Sequence, residues 1–150
     1  MRKMDMKLIV CADPRGGMMF NRRRTTSDVV VTADILREGE GRLLIAPYSE
    51  KIFKNAEAEG YAPSGIGYVI SDDPVGEAKA DDAIFLEERS GRSRLSDIDT
   101  IVIYRWYEIY PYDYTFDIDP KVEGFILSEQ HSFPGYNHDL ITKEVYCRKK

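Results

Sequence analysis

The stretch that most restricts what this chain can become is its first apolar run, Leu8-Ile9-Val10-Cys11-Ala12. A strand with one wet face alternates between apolar and polar residues. A run without alternation reads as a strand covered on both faces, as in a central, mostly parallel sheet. Lys7 to Ala12 is therefore assigned as the central strand of an α/β protein. It leads into Asp13, Pro14-Arg15, the pair Gly16-Gly17 and Met18-Met19-Phe20-Asn21. A buried strand running into a flexible Gly-Gly loop is one way such proteins expose backbone to a ligand. Residues 13–24 are read as a polar loop.

Helices and strands alternate from there. Thr25, Thr26 and Ser27 offer helix caps, and Asp28 would fall in the first helical turn, where its charge suits the helix dipole. The helix is expected to run to about Glu38, with Val30, Ala33 and Leu36 inward and Gly39 or Gly41 ending it. Arg42 to Ala46 reads as a strand stopped by Pro47, and Ser49 caps a helix from Glu50 to Ala58 with Ile52 and Phe53 inward. Gly67–Ser71 and Ala83–Glu87 read as short strands around the turn Asp72-Asp73-Pro74, Ser90–Asp97 as a loop with a helical turn, and Thr100–Tyr107 as a strong strand. Gly124–Ser132 and Leu140–Arg148 form a terminal hairpin across Pro134-Gly135-Tyr136-Asn137. The expected fold is α/β: one three-layer domain over residues 1–150, with a mixed, mostly parallel central sheet closed by an antiparallel C-terminal hairpin.

Composition narrows the function classes. A length of 150 residues, 31% charged and 43% hydrophobic, suits one globular domain. The net charge of -5 argues against non-specific nucleic-acid binding. Met1 to Met6 lacks the apolar core of a signal peptide, and no apolar run reaches the roughly 18 residues a membrane span needs. The expectation is a cytoplasmic protein without membrane or nucleic-acid partners. Cys11 and Cys147 lie in strand-like runs and read as free, buried thiols.

The order strand, Asp, Gly-Gly, hydrophobic pair resembles the opening of dihydrofolate reductases. Leu95-Ser96-Asp97-Ile98-Asp99-Thr100-Ile101-Val102-Ile103-Tyr104-Arg105 is similar to the stretch entering that family's late strand. Asp113-Tyr114-Thr115-Phe116-Asp117-Ile118-Asp119 is similar to its Asp-x-x-Phe-Pro segment, with Asp117 in place of proline. Phe125-Ile126-Leu127-Ser128-Glu129 and Glu144-Val145-Tyr146-Cys147-Arg148 match its closing hairpin. The resemblance covers roughly the first 50 and last 55 residues and implies a dihydrofolate reductase-like fold, diverged and shortened.

The same comparison implies that the family's sites are gone. Its Gly-Arg-x-Thr turn, which holds the phosphates of NADPH, is here Ala46-Pro47-Tyr48-Ser49. Proline removes an amide donor and no guanidinium remains. The Gly-Gly-x-x-x-Tyr helix has no counterpart after Ala83–Glu87, and the arginine that pairs with the folate carboxylate falls near Ile66. No cofactor is expected.

What remains is a small set of candidates. The resemblance places Asp28 as the active-site carboxylate; if buried, its pKa would rise and it could pass a proton to a heterocycle. A bland first-turn Asp is the alternative. Arg22, Arg23 and Arg24, with Arg15, Gly16, Gly17 and Asn21, form a candidate carboxylate or phosphate site on a loop entering the helix. Solvated surface charge is the alternative. Tyr104 stands where the family supports its carboxylate with threonine. It belongs to an aromatic segment with Trp106, Tyr107, Tyr110, Tyr112 and Tyr114 that reads as core, ligand stack or homodimer contact. His131 and His138, seven apart and without a cysteine partner, read as solvated hairpin residues; no metal is expected. The functional expectation is a polar or anionic small molecule bound between the Gly-Gly/Arg loop and the first helix. A diverged NAD(P)H-dependent reductase and a homodimeric interaction protein are the alternatives.

Overall fold

Strand β1 (Met6–Ala12) is hydrogen-bonded on both edges, to β6 (Ala83–Phe85) and to β7 (Ile98–Trp106), parallel to each. The computed structural model describes residues 6–39 and 42–149. In chain order the remaining elements are β2 (Gly17–Phe20), β3 (Arg23–Arg24), α1 (Val29–Glu38), β4 (Leu43–Ile45), a 3-10 turn Pro47–Ser49, α2 (Glu50–Ala58), β5 (Val69–Ile70) and α3 (Pro74–Glu77). After β6 come a 3-10 segment Arg92–Asp97, then β7, β8 (Tyr114–Thr115), β9 (Phe125–Phe133) and β10 (Ile141–Arg148). Among the described residues the main sheet has the order β5-β4-β6-β1-β7-β10-β9. β10 joins β7 antiparallel, and β9 pairs antiparallel with β10. The fold is the mixed, mostly parallel sheet with an antiparallel closing hairpin that the apolar patterning predicts.

The alternation of side chains explains the unbroken apolar runs. Ile9, Leu43, Ile45, Phe85, Val102, Tyr104 and Trp106 point to one face, where they meet Val31, Ile35 and Leu36 of α1 and Ile52 and Phe53 of α2. Leu8, Val10, Leu44, Ile84, Ile101 and Ile103 point to the other, against Met18, Met19, Val75 and Ile118. Both faces are covered, so neither set of positions tolerates a polar residue.

Four local expectations need correction. Residues 13–24 are not an irregular loop: β2 and β3 form a hairpin that pairs with β8 in a small second sheet, anchored by buried Met18 and Met19. Asp28 precedes the first turn of α1 and is its N-cap, with extended backbone (φ -151, ψ 129). The helix phase differs accordingly: Val31 and Ile35 are buried, whereas Val30 is half-buried. Gly39 caps α1 at its C-terminus, and Gly41 lies outside the described residues. Finally, Cys147 is exposed and Cys11 only half-buried; both are free.

Candidate functional site

Asp28 is held by four donors. Its Oδ1 accepts from the amides of Val30 (2.9 Å) and Tyr136 (3.0 Å), its Oδ2 from the amide of Asn137 (3.0 Å) and from Nδ1 of His138 (2.8 Å). The side chain is fully buried. Each carboxylate oxygen offers about two lone-pair positions, so none is left for a ligand. Burial pushes the carboxyl upward, but the hydrogen bonds from Tyr136, His138, Asn137 and Val30 outweigh it and hold the group below the usual carboxylate range. The expected upward shift is thus reversed: the turn 134–138 wraps the carboxylate in donors. Gly135 permits that approach, because a Cβ there would collide with the Asp28 carboxylate and Ile141.

His138 continues the chain of contacts. Its ring stacks on Trp106 at 4.7 Å and 26°, and its Nε2 lies 3.0 Å from the Thr26 hydroxyl. It is not a solvated hairpin residue, since its side chain is only 10% exposed. His131 is exposed, on the outer strand β9.

The Gly-Gly loop is closed on itself rather than flexible. Gly16 donates its amide to the Asp13 carbonyl (2.9 Å), Gly17 donates to the buried Asp13 carboxylate (2.9 Å), and Asp13 donates back to the Gly17 carbonyl (2.9 Å). Neither glycine amide is offered to a ligand. Gly16 has φ +86, and a Cβ on Gly17 would strike the Tyr112 ring, so each position needs glycine for this turn.

The three arginines part ways. Arg24 turns inward and forms a two-point pair with Glu87 (2.7 and 2.9 Å) over the Tyr48 ring, and Glu87 also accepts from the Ser49 hydroxyl (2.7 Å). Arg23 is exposed. Asn21 and Arg22 form the tip of the β2–β3 hairpin in left-handed conformation (φ 50 and 62). The Asn21 amide donates to Asp113 (3.1 Å), and Arg15 lies over the Tyr112 ring.

Tyr104 is buried, with its hydroxyl donating to Asp34 of α1 at 2.6 Å rather than to Asp28. Lys143 donates to the same carboxylate (2.7 Å) and to Glu38, which also accepts from Lys7 (2.8 Å). Burial, then the Asp34 charge, pushes the Tyr104 phenol far above its ordinary value. As a ligand contact Tyr104 is corrected: it props α1 from below. With Trp106 also inside the core, a subunit contact through this strand is left with Tyr107 and Ile109 beyond its end, 71% and 55% exposed.

The space between Asp28, Thr32, Cys11 and Glu87 amounts to about 10 Å³, the size of one water at most. The space beside Asp28 itself is thus too small for an organic ligand. Open volume lies on either side of it. One pocket of about 370 Å³ is lined by Met19, Arg22, Tyr48, Glu88, Asp113 and Tyr114. A second, also about 370 Å³, opens beside Thr26 and His138, with Tyr107, Glu108, Tyr110 and Asp139 around it. Glu88 lines the first; its Oε1 is closed off from solvent with no protein hydrogen-bond partner among the described residues, while its Oε2 pairs with Arg89 at 2.9 Å. Glu87, Glu88 and Tyr48 carry no spacing signal in the sequence, because they reach the site from the ends of different elements.

Compared with known proteins, the sequence matches no family model and no curated protein. Among solved structures it is similar to a dihydrofolate reductase from Enterococcus faecalis complexed with NADP(H) and RAB-propyl. The TM-score is 0.64 at 10% sequence identity, covering 97% of each chain. The fold is dihydrofolate reductase-like.

Proposed function

We propose that this chain is a small-molecule-binding protein on a dihydrofolate reductase-like fold, and that its ligand sits beside the β2–β3 hairpin rather than between that hairpin and α1. The observation that carries the reading is Glu88, a carboxylate in the pocket wall with one oxygen, Oε1, left without a protein donor among the described residues. A buried carboxylate oxygen without a donor costs about 1–3 kcal/mol, and such a group in a native protein calls for a partner. Tyr48, Tyr114 and Met19 supply apolar walls for a planar body, Arg22 a donor, and Glu88 and Asp113 acceptors. Two carboxylates against one guanidinium favour a polar ligand that brings its own N–H donors over a simple anion.

The neighbouring structure carries NADP(H), which makes a pyridine-nucleotide reductase the rival reading. The residues here do not fit that cofactor. In the turn Pro47–Ser49, the Tyr48 carbonyl, hydroxyl and ring all engage Arg24, and Ser49 donates to Glu87. A pyrophosphate would meet the Glu87 carboxylate and displace its ion pair. The two unpaired cysteines fit a reducing compartment such as the cytoplasm; no helix among the described residues is long and apolar enough to cross a membrane.

Benzamidine and benzoate, alike in shape and opposite in charge, separate the ligand classes. Calorimetry is expected to show benzamidine binding, weakened about tenfold or more in Glu88→Gln, and no benzoate binding. Preference for benzoate would place Arg22 in control and restore the anionic reading. Failure of both planar probes to bind would remove the pocket as a site.

A further inference from the structure

A second constellation lies in the other pocket and does not depend on the reading above. Thr26, His138 and Asp28 stand in line: Asp28 Oδ2 to His138 Nδ1 is 2.8 Å, and His138 Nε2 to Thr26 Oγ1 is 3.0 Å. Asp28 is an ionised acceptor on every side, so Nδ1 must carry the ring hydrogen in its contact with Asp28. In the Nδ1–H tautomer, assigned from this network, Nε2 is left as an acceptor for the Thr26 hydroxyl. Stacking on Trp106 fixes the ring plane. A hydroxyl, a neutral imidazole that accepts its proton and a buried carboxylate that orients the imidazole are the parts of an acyl-transfer relay, recognised by geometry rather than by order in the chain. Here the order is Thr, Asp, His, with Thr26 and His138 112 positions apart.

The relay is not sealed in the core. Thr26 and His138 both line the pocket of about 370 Å³, whose wall also holds the Tyr110 phenol, Tyr107 and Leu140. Burial, then the Glu108 charge, raises the Tyr110 phenol, and its hydrogen bond with the Thr26 side chain opposes that shift. The exposed carboxylates of Glu108 and Asp139 repel anions at the pocket rim.

The geometry points to Thr26 as a nucleophile, His138 as its general base and Asp28 as a positioning residue for cleavage of small neutral or cationic acyl esters. Thr26 Oγ1 bonds to the ester carbonyl carbon as its proton passes to His138 Nε2. The carbonyl electron pair moves onto oxygen. Collapse breaks the carbon–alkoxy bond, and the alkoxide leaves as alcohol with the proton from His138. Water then attacks acyl-Thr26, His138 takes the water proton, and Thr26 leaves with it, so one ester and one water give one acid and one alcohol.

4-Nitrophenyl acetate tests this on the full chain. Nitrophenol release is followed by absorbance, and the intact mass and peptide map are read after an acid quench. The expected result is one acetyl group on Thr26, with Thr26→Val abolishing the label and lowering the rate about 100-fold. Thr26→Ser should keep both, which a purely structural threonine would not require. His138→Gln should lower the rate similarly; if it unfolds by circular dichroism, the two Thr26 variants decide alone. Absence of acetyl on Thr26, or Thr26→Val hydrolysing at the wild-type rate, overturns the proposal and leaves the three residues as a lock between α1 and the hairpin turn.

Discussion

Arg22 is the residue whose backbone and side chain pull in opposite directions. Its φ of 62 is a left-handed conformation that an L side chain adopts at a cost of about 1–2 kcal/mol. The two-residue tip Asn21-Arg22 has positive φ at both positions, a turn for which glycine is the natural second residue. Arginine there brings a positive charge to the pocket that Glu88 also lines. Arg22→Gly is therefore expected to raise the unfolding free energy by about 1 kcal/mol. It should also tighten benzamidine, because a like charge leaves the pocket. Thermal unfolding and calorimetry on the same preparation check both. A drop in stability would mean that the contacts of Arg22 outweigh its strain.

Helix α1 gathers charge along the side facing the hairpin: Asp28 at its cap, then Asp34 and Glu38 meeting Lys143 of β10 and Lys7 of β1. All three carboxyls are pushed up by burial and pulled down further by their donors, so each folded pKa lies below its ordinary value. The sign follows. A carboxyl depressed in the folded state stabilises the protein fully above its unfolded pKa, roughly 3.9–4.3, and loses that contribution as pH falls through the folded value. Denaturant unfolding is expected to show a stability plateau above about pH 5 and a decline below about pH 4. Asp34→Asn should flatten the decline and lower the plateau by about 1–2 kcal/mol, since Lys143 and Tyr104 lose a charged acceptor. Stability that stays level down to pH 3 would show that these pairs contribute nothing net.

At the scale of the whole molecule, the chain shares the fold of a dihydrofolate reductase, and the proposed ligand is not that enzyme's cofactor. The sheet order places β1, β4 and β6 side by side, and the ends of those strands lead to the Asp13 turn, the Pro47–Ser49 turn and Glu87. In this chain the ends of β4 and β6 are tied together, Ser49 to Glu87 directly and Tyr48 to Glu87 through Arg24. Replacing two or three charge-assisted hydrogen bonds to a cofactor, at about 1.5–3 kcal/mol each, with a standing internal ion pair weakens binding at least a hundredfold. NADPH titration followed by nicotinamide fluorescence is expected to give no sub-micromolar dissociation constant. A sub-micromolar value would return the protein to the reductases.

The sequence by itself determined the sheet. Unbroken apolar runs at Leu8–Ala12 and Ile101–Ile103, the paired apolar segments at the C-terminus and the helix Glu50–Ala58 are local patterns, because burial on both faces is written into consecutive residues. It also marked Asp28 as a residue to watch, though for the wrong reason. The company each polar side chain keeps emerges only once the chain is folded. His138 meets Asp28 across 110 residues, Arg24 meets Glu87 across 63, and Tyr104 finds Asp34 instead of Asp28. A hydrogen bond depends on distances of a few tenths of an ångström between strand ends and turns. Neither residue type nor spacing encodes those distances until the register of β7 on β10 and the wrap of the 134–138 turn are set.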